Sequence, residues 1–239
     1  PAVVYLSRWK NHPRWSCAFL ESIAFHDAGR DFDLLYVLKG FPPGEDDPAL
    51  RAHPGDVRAC VTEFRISDEG YDLNAYLRVA AQFEHRRMLF FNSYSRILAR
   101  NWLASYVTAF DSAPNCGIVG ATGSFETIPG TTFPNVNVRT NAFMIERELF
   151  LSVDPGPLVT KGDCNRFEAG PESLTRQIGR RGLEPLLVDR FGKPWCVSEW
   201  PVSRIFRSGR QEALLVADNR THHYAVAGPA KRLRLARLA

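Results

Sequence analysis

The chain has 239 residues, of which 45% are hydrophobic, enough for one large α/β domain, or two small ones, and too many for a disordered chain. It has no apolar run of about 18 residues and no charged leader before an apolar stretch, so neither a membrane span nor a signal peptide is predicted. The formal net charge is +4, and the last nine residues carry four cations without an acid, which leaves the remainder neutral and argues against a nucleic-acid-binding face.

Apolar runs alternate with 3.6-residue periodicity along the first half of the chain. Ala2–Leu6 predicts a buried strand, and Pro13 opens a predicted helix that ends at Gly29. The elements predicted next are a strand at 32–38, a loop at 42–47, a short strand at 57–61, a helix after Gly70 and a strand at 88–91. This βαβ succession predicts a mostly parallel sheet.

The second half of the chain alternates less regularly. The elements predicted here are a helix at 102–110, strands at 117–120, 142–145 and 186–188, and a helix from Pro171 that ends at Gly182. Residues 123–139 are rich in Gly, Thr, Pro and Asn, which predicts a long loop over the sheet. Residues 214–221 fit either a segment that closes over a ligand or an edge strand with a turn.

Polar segments follow the predicted parallel strands. They are Ser7–Lys10, Lys39–Gly40, Arg65–Tyr71 and Asn92–Arg96. Ligands of open α/β sheets bind beyond the carboxyl ends of the strands, so these segments are expected to form one rim. Their cations and aromatic rings suit a ligand with phosphates and a flat base, and ordinary loop polarity is the alternative interpretation.

Several nucleotide-binding and catalytic motifs are absent or wrongly spaced. Gly117–Gly123 has the spacing G-x-x-G-x-x-G in mid-chain, and neither G-x-x-x-x-G-K-[ST] nor G-x-S-x-G occurs. The pair His222-His223 has no spaced partner ligands for a metal ion. These observations disfavour a Rossmann dehydrogenase, a P-loop kinase and a serine hydrolase.

Five segments share an order that a known family also has. They are Ser67–Tyr76, the strand end Phe90–Ser95 with Arg96–Leu103 after it, Gly117–Gly120, Asn141–Phe150 and Leu174–Gly182. In this order they resemble the family 2 type bacterial glycosyltransferases of GT-A fold. The resemblance implies a Rossmann-like three-layer α/β sandwich with a mostly parallel central sheet. It further implies a nucleotide-binding half at residues 1–110, an acceptor half at 111–225 and a basic tail at 226–239.

The chain departs from the family's pattern at its acidic positions. Where the family has a metal-binding Asp-Xaa-Asp, this chain has Asn92-Ser93-Tyr94-Ser95, and Lys39 stands near the position of the family's aspartate after the second strand. The family's Glu-Asp pair aligns with Gly170-Pro171. Because Mg²⁺ and Mn²⁺ prefer carboxylate oxygens, no metal ligand is predicted, and a requirement for either ion is doubtful.

The resemblance also implies roles for individual residues. Glu168 is predicted as the base that takes the acceptor's proton, because it precedes the helix where the family keeps its acid; Glu172 and Asp163 are the substitutes. An exposed acid near a helix terminus is the alternative for Glu168. The predicted donor-binding residues are Ser7, Arg8, Lys39, Asp72, Tyr76, Asn92, Ser93, Tyr94 and Arg96, with Tyr76 equally suited to the core. In place of a metal, Arg204, Arg207 and Arg210 are predicted to bind the diphosphate.

The resulting prediction is a hexosyltransferase-like enzyme of polysaccharide biosynthesis. It moves a sugar from a nucleotide-sugar donor to a glycan or lipid-linked acceptor, with no nucleic-acid partner. The alternative is a degenerate GT-A module that binds a glycan or nucleotide without turnover. Five cysteines without a C-x-x-C pair indicate a reducing cytoplasm. The basic tail fits either contact with anionic lipids at the inner face of the membrane or a solvated helix.

Overall fold

The structure is a computed structural model that describes residues 1–52 and 61–237. Its strands are β1 (Ala2–Arg8), β2 (Asp33–Lys39), β3 (Val61–Ile66), β4 (Arg87–Phe91), β5 (Arg96–Ile97), β6 (Cys116–Gly120), β7 (Gly123–Ser124), β8 (Asn137–Val138), β9 (Ala142–Glu146), β10 (Glu184–Val188), β11 (Pro194–Trp195) and β12 (Val216–Ala217). Its helices are α1 (Arg14–Phe25), α2 (Pro48–Ala52), α3 (Asp72–Gln82), α4 (Trp102–Asp111), α5 (Arg147–Ser152), α6 (Lys161–Ala169), α7 (Leu174–Gly179), α8 (Asn219–Ala225) and α9 (Pro229–Arg237), with a 3₁₀ helix at Val197–Val202.

The main sheet contains eight strands in the order β11-β10-β6-β9-β4-β1-β2-β3. Strands β3, β2, β1 and β4 are parallel, as are β6 and β10, whereas β9 and β11 are antiparallel to their neighbours. Strand β1 lies inside the sheet, and every residue of Ala2–Leu6 is buried. A continuous apolar run favours this position because it is covered on both faces there. The prediction of a mostly parallel α/β sheet is confirmed.

Helices cover both faces of the sheet, and each face has its own apolar core. On one face, Phe90 of β4 packs against Tyr76 of α3 with ring centroids 4.8 Å apart. On the other face, Tyr5 of β1 stacks on Phe19 of α1 at 3.9 Å, and Trp102 of α4 is buried in the same core. Successive side chains of a strand point to opposite faces, so the continuous apolar runs feed both cores and give the three-layer sandwich.

Two elements of the first half differ from their predicted bounds. The predicted helix from Pro13 ends at Phe25 instead of Gly29, because the backbone of His26 is already extended; Gly29, at φ +72°, turns the chain before β2. Most of the strand predicted at 57–61 lies outside the described residues. The observed strand β3 starts at Val61 and pairs with β2.

The second half contains a helix that the sequence did not predict. Helix α6 begins with a capping box, in which Thr160 accepts from the backbone N–H of Asp163 and the Asp163 side chain accepts from that of Thr160. The helix predicted from Pro171 begins at Leu174 instead, because Ser173 caps it. The predicted loop at 123–139 is interrupted by the short paired strands β7 and β8.

The last part of the chain forms a separate two-stranded sheet with β5. Strand β12 pairs antiparallel with β5, and Asp218 caps α8, so residues 214–221 contain a short strand and the start of a helix. The alternative that this segment closes over a ligand stays a prediction. In α9, Leu235 is buried, and Arg232 lies 5.4 Å from the ring centroid of Tyr224 in α8. Within the described ranges, none of the helices combines the length and the apolar character needed to cross a membrane.

Candidate functional site

A cleft of about 320 Å³ lies at the carboxyl edge of the parallel strands. It opens where β1, β2 and β4 end, and α3, α6, α8 and the segment before β9 complete its walls. Its charged lining residues are the cations Arg8, Lys39, Arg139, Lys161 and Arg220 and the carboxylates Asp72 and Glu168. The excess of cations favours an anionic ligand, at the edge where open α/β sheets bind their ligands.

Asp68 holds the cations at the ends of β1 and β2. Its carboxylate accepts from Arg8, Nε to Oδ1 at 2.6 Å and Nη2 to Oδ2 at 3.0 Å, and pairs with Lys10 at 2.8 Å. The Arg8 hydrogen bond, with the charges around it, holds the pKa of Asp68 well below its usual range. Lys39 is 1% exposed, with Nζ 3.6 Å from Asp68, and burial lowers its pKa while Asp68 opposes that shift. The cluster therefore fixes Arg8 and pairs the buried Lys39.

Arg139 forms the opposite cationic wall. Its Nη2 donates to Oδ2 of buried Asp218 at 2.8 Å, and its guanidinium lies 4.4 Å from the ring centroid of Phe206. Burial alone would raise the pKa of Asp218, but the charge of Arg139 and the hydrogen bonds from Thr221 outweigh it and lower the pKa. Asp218 also caps α8, which brings Arg220, the second residue of that helix, to the cleft.

Two carboxylates line the same cleft. Glu168 in α6 accepts through Oε2 from the backbone N–H of Thr140 at 2.8 Å and also from the Thr140 hydroxyl. Among the described residues, no hydrogen bond reaches its Oε1. Asp72 is the first residue of α3, and its Oδ1 accepts from the backbone N–H of Leu73 at 3.1 Å. Burial, followed by the charge of Glu168, raises the pKa of Asp72 to about 6.

The turn after β4 is where the resemblance would put a metal clamp. Oδ1 of Asn92 accepts from the backbone N–H of Tyr94 and the hydroxyl of Ser95, each at 3.0 Å, and the Ser93 hydroxyl donates to Leu6 O at 2.7 Å. The described residues contain no group of three or more His, Cys, Asp or Glu side chains that could hold a metal ion. Amide and hydroxyl oxygens already engaged within the turn do not fit Mg²⁺ or Mn²⁺, which favour carboxylates.

Asn141 presents a buried donor to the cleft. Its Oδ1 accepts from the Thr122 hydroxyl at 2.8 Å, and its Nδ2 is buried without a hydrogen-bond partner among the described residues. A buried donor without a partner costs about 1–3 kcal/mol, so a ligand oxygen that accepts from it recovers that energy. Sequence reasoning assigned Asn141 no role; the available signal was a polar residue directly before the buried strand β9.

A second cavity of about 270 Å³ adjoins the cleft, and Arg8 and Ser93 line both. Asp47, 1% exposed, accepts there from the Ser7 hydroxyl at 2.5 Å and the Tyr36 hydroxyl at 2.8 Å. Its aromatic lining consists of Trp9, Trp15 and Phe41, with Tyr5 beneath. This aromatic cavity offers flat apolar surfaces next to the cationic cleft.

The structure brings part of the predicted site together. The predicted residues that line the cleft are Arg8, Lys39, Asp72, Asn92, Ser93, Tyr94 and Glu168. Ser7 lines the aromatic cavity, Tyr76 is buried in the core, and Arg96 is an exposed residue of β5. Residues lining the cleft for which sequence reasoning gave no role include Arg139, Asn141, Lys161 and Arg220.

The other predicted residues lie outside the cleft lining. Asp163 caps α6 and pairs with Arg166, and Glu172 pairs with Arg180 at 2.5 Å. The three arginines predicted for the diphosphate lie elsewhere: Arg204 and Arg210 are exposed, and Arg207 is buried against Glu126 at 2.6 Å. None of the three is among the residues that line the cleft.

Comparison with known proteins identifies the fold. No family model and no curated protein sequence matches the chain. The mannosyltransferase PcManGT from Pyrobaculum calidifontis, solved with GDP-Man and Mn²⁺, is similar with a TM-score of 0.53 and 18% identity over 77% of this chain and 54% of its own. The galactosyltransferase LgtC is similar with a TM-score of 0.48 and 7% identity over 64% of this chain and 60% of its own. A glycosyltransferase involved in the glycosylation of the major capsid of PBCV-1 is similar with a TM-score of 0.44 and 13% identity over the whole of both chains.

The chain thus spans about half the length of PcManGT. The likeness to that enzyme, together with the sheet order, confirms the predicted fold, whereas the family 2 assignment stays a prediction. The chain has the GT-A fold of the glycosyltransferases.

Proposed function

We propose that the chain is the catalytic domain of a glycosyltransferase that takes its sugar from a nucleotide-sugar donor. The observation that carries the proposal is a cationic cleft with a positioned carboxylate, Glu168, at the ligand-binding edge of a GT-A sheet. PcManGT, which shares the fold, was solved with such a donor. The same proposal includes hexosyl transfer to a glycan or lipid-linked acceptor in polysaccharide synthesis. It also places the enzyme on the cytoplasmic face of a membrane that the basic tail contacts.

Cationic side chains take the place of a metal ion in this proposal. Arg8 approaches the diphosphate from one wall, with the charge of buried Lys39 behind it, and Arg139, Lys161 and Arg220 approach from the other. Guanidinium groups donate paired N–H bonds to phosphate oxygens and stabilise the charge that develops on the leaving diphosphate. The carboxylate-free turn after β4 supports a transfer that needs neither Mg²⁺ nor Mn²⁺.

Glu168 acts as the base in an inverting transfer. The acceptor oxygen forms a bond to the anomeric carbon while the bond from that carbon to the diphosphate oxygen breaks, and its electron pair stays on the diphosphate. The acceptor's proton passes to Glu168, whose Oε2 is fixed by Thr140 while Oε1 is left for the acceptor. Glu172 and Asp163, the substitutes, are engaged with Arg180 and with the α6 cap.

The aromatic cavity is proposed to hold the nucleobase. It adjoins the cleft at Arg8, so a diphosphate bound there would carry its base toward the rings of Trp9 and Phe41. Flat bases stack favourably on aromatic faces, and the carboxylate of Asp47 in the cavity lining is an acceptor for N–H groups, as its bond from the backbone N–H of Ala49 illustrates.

A donor panel tests the proposal. Thermal unfolding with UDP-, GDP-, dTDP- and CMP-sugars is measured in EDTA and in Mn²⁺, followed by donor hydrolysis under both conditions. A matching donor at 100 times its Kd stabilises by about 2.7 kcal/mol, which raises Tm by roughly 5–10 °C for a domain of this size. We expect one donor class to give this shift and slow hydrolysis, both indifferent to EDTA. No shift with any donor would refute the proposal.

A degenerate binding module is the second candidate function. The turn Asn92-Ser93-Tyr94-Ser95, with no carboxylate, is the observation that favours it. Donor or glycan binding without hydrolysis or transfer, in EDTA and in Mn²⁺ alike, is the result that distinguishes the module from the enzyme.

A further inference from the structure

A third cavity, of about 420 Å³, lies outside the cleft in the second half of the chain. It lies next to β7, the end of β10, the 3₁₀ helix, the loop at 203–209 and the end of α9, which contributes Ala236 and Arg237. Its aromatic walls are the rings of Phe125, Phe133, Trp200 and Phe206. The volume is within the range of small-molecule sites, which combine apolar walls with a few polar groups.

The aromatic wall is held in a fixed position. Trp200 is 5% exposed, its Nε1 donates to Trp195 O at 3.2 Å, and its ring lies 5.7 Å from that of Phe125. A methyl group at Gly123 would come within 2.5 Å of the Trp200 ring, so glycine is what allows the ring to sit there. Phe133, by contrast, is 67% exposed at the mouth of the cavity.

Arg207 supplies a buried polar group to the cavity. It is 6% exposed, and its Nη1 pairs with Glu126 at 2.6 Å. Its Nε is buried and has no hydrogen-bond partner in the described part of the chain. The backbone of Arg207 has φ +49°, a conformation that L-residues adopt at a cost of about 1–3 kcal/mol. Arg207 therefore brings to the cavity lining an N–H donor without a partner, close to the Phe206 ring.

Phe206 connects this cavity with the cleft. The guanidinium carbon of Arg139, which lines the cleft, lies 4.4 Å from the Phe206 ring centroid, and that of Arg207, which lines the cavity, lies 4.7 Å away. One aromatic side chain thus lies between a residue of the cleft lining and a residue of the cavity lining, so the two sites are neighbours.

We propose that the third cavity binds a pyranose unit of the acceptor glycan. A pyranose presents an apolar C–H face that packs on the negative face of aromatic rings, and a rim of hydroxyls that accept from arginine and donate to a carboxylate. Trp200, Phe125 and Phe133 match the first requirement, and the Arg207–Glu126 pair matches the second. The inference deepens the proposed function, because it assigns the acceptor class as carbohydrate and the direction of its approach.

Saturation-transfer NMR with the full chain tests the inference in the absence of donor. The probes are methyl hexopyranosides and hexose disaccharides, with excess nucleoside diphosphate as a competitor for the cleft and vesicles containing phosphatidylglycerol as a second arm. We expect saturation of saccharide ring C–H protons that survives the competitor. Phe133→Ala is expected to weaken binding of the best saccharide at least about tenfold, which corresponds to about 1.4 kcal/mol of binding free energy. The matched control Phe25→Ala removes a ring that is 78% exposed and outside the cavity lining, and it leaves binding unchanged.

Arg207→Lys provides a second variant, because it keeps a cation opposite Glu126 and removes the Nε donor. It is expected to weaken saccharide binding while the unfolding midpoint stays within a few degrees of wild type. Four results would overturn the inference: no saccharide binding, displacement of the saccharide by nucleoside diphosphate, equal saccharide binding by wild type and Phe133→Ala, or binding of vesicles instead of saccharides. Wild-type donor hydrolysis, measured separately, tells that failure apart from a failure of the proposed function.

Discussion

Replacement of Glu168 by glutamine tests the assignment of the base. Glutamine keeps an oxygen that accepts from the N–H and hydroxyl of Thr140, so the side chain stays in position and only its basicity is lost. A general base contributes about 10²- to 10⁴-fold to the rate, or about 3–5 kcal/mol in the activation barrier. Two hydrogen bonds change from charged to neutral acceptors, which costs roughly 1–2 kcal/mol of folding stability.

Initial rates of sugar transfer, measured with the donor found in the panel, give kcat and KM for Glu168→Gln. We expect kcat to fall at least about 100-fold, with donor Kd unchanged. Thr140→Val is the matched control, since it removes the hydroxyl bond to Glu168 and keeps the backbone one; its kcat falls about tenfold, or 1.4 kcal/mol. A Glu168→Gln variant with wild-type kcat would show that Glu168 is not the base.

Three further predictions concern binding and stability. Asn141→Asp keeps the oxygen that accepts from Thr122 and removes the buried Nδ2 hydrogen-bond donor. Calorimetry is therefore expected to give a Kd for the nucleotide sugar that is at least about tenfold higher; an unchanged Kd would show that Nδ2 does not reach the nucleotide sugar. Because the pKa of Asp72 is raised from 3.8 to about 6, folded protein holds that proton more tightly than unfolded protein, and wild type is expected to lose stability relative to Asp72→Asn as pH rises from 4 to 6. The loss is at most about 3 kcal/mol, and Asp72→Asn removes it; parallel denaturant curves across that range would contradict the shift. Gly123→Ala forces a methyl against the Trp200 ring and is expected to cost about 1–3 kcal/mol, whereas Gly179→Ala, with nothing within 4 Å, is neutral or stabilising by about 0.5 kcal/mol; equal unfolding midpoints would contradict the packing argument.

The sheet could be predicted because buried parallel strands are continuous apolar runs. Ala2–Leu6 in β1 and Met88–Phe91 in β4 are of this kind and were located to within two residues. Helix α6 was missed because it is polar on most of its surface, and its signal was the cap at Thr160 and Asp163 rather than its periodicity. Strand β3 is an edge strand with mostly exposed or half-buried residues, so no continuous apolar run marks it.

The candidate site could be predicted only where its residues follow strand ends. Arg8 and Lys39 are the last residues of β1 and β2 and are partners in the parallel register, so their meeting is a consequence of parallel pairing. Arg139 and Asp218 are separated by 79 positions and meet because β12 returns to pair with β5. Arg139 lines the cleft and Arg207 lines the third cavity. Both are arginines, so their residue type does not distinguish the two positions; the path of the backbone does.

Lysine and arginine side chains are proposed to hold the diphosphate in the cleft without a metal ion. Calorimetric titration of the matching nucleoside diphosphate, first in EDTA and then in Mn²⁺, measures whether they suffice. We expect Kd values that agree within about twofold in the two buffers and that rise with salt, because the exposed charges of the cleft are screened. Binding that appears only in Mn²⁺ would show that a metal ion holds the diphosphate.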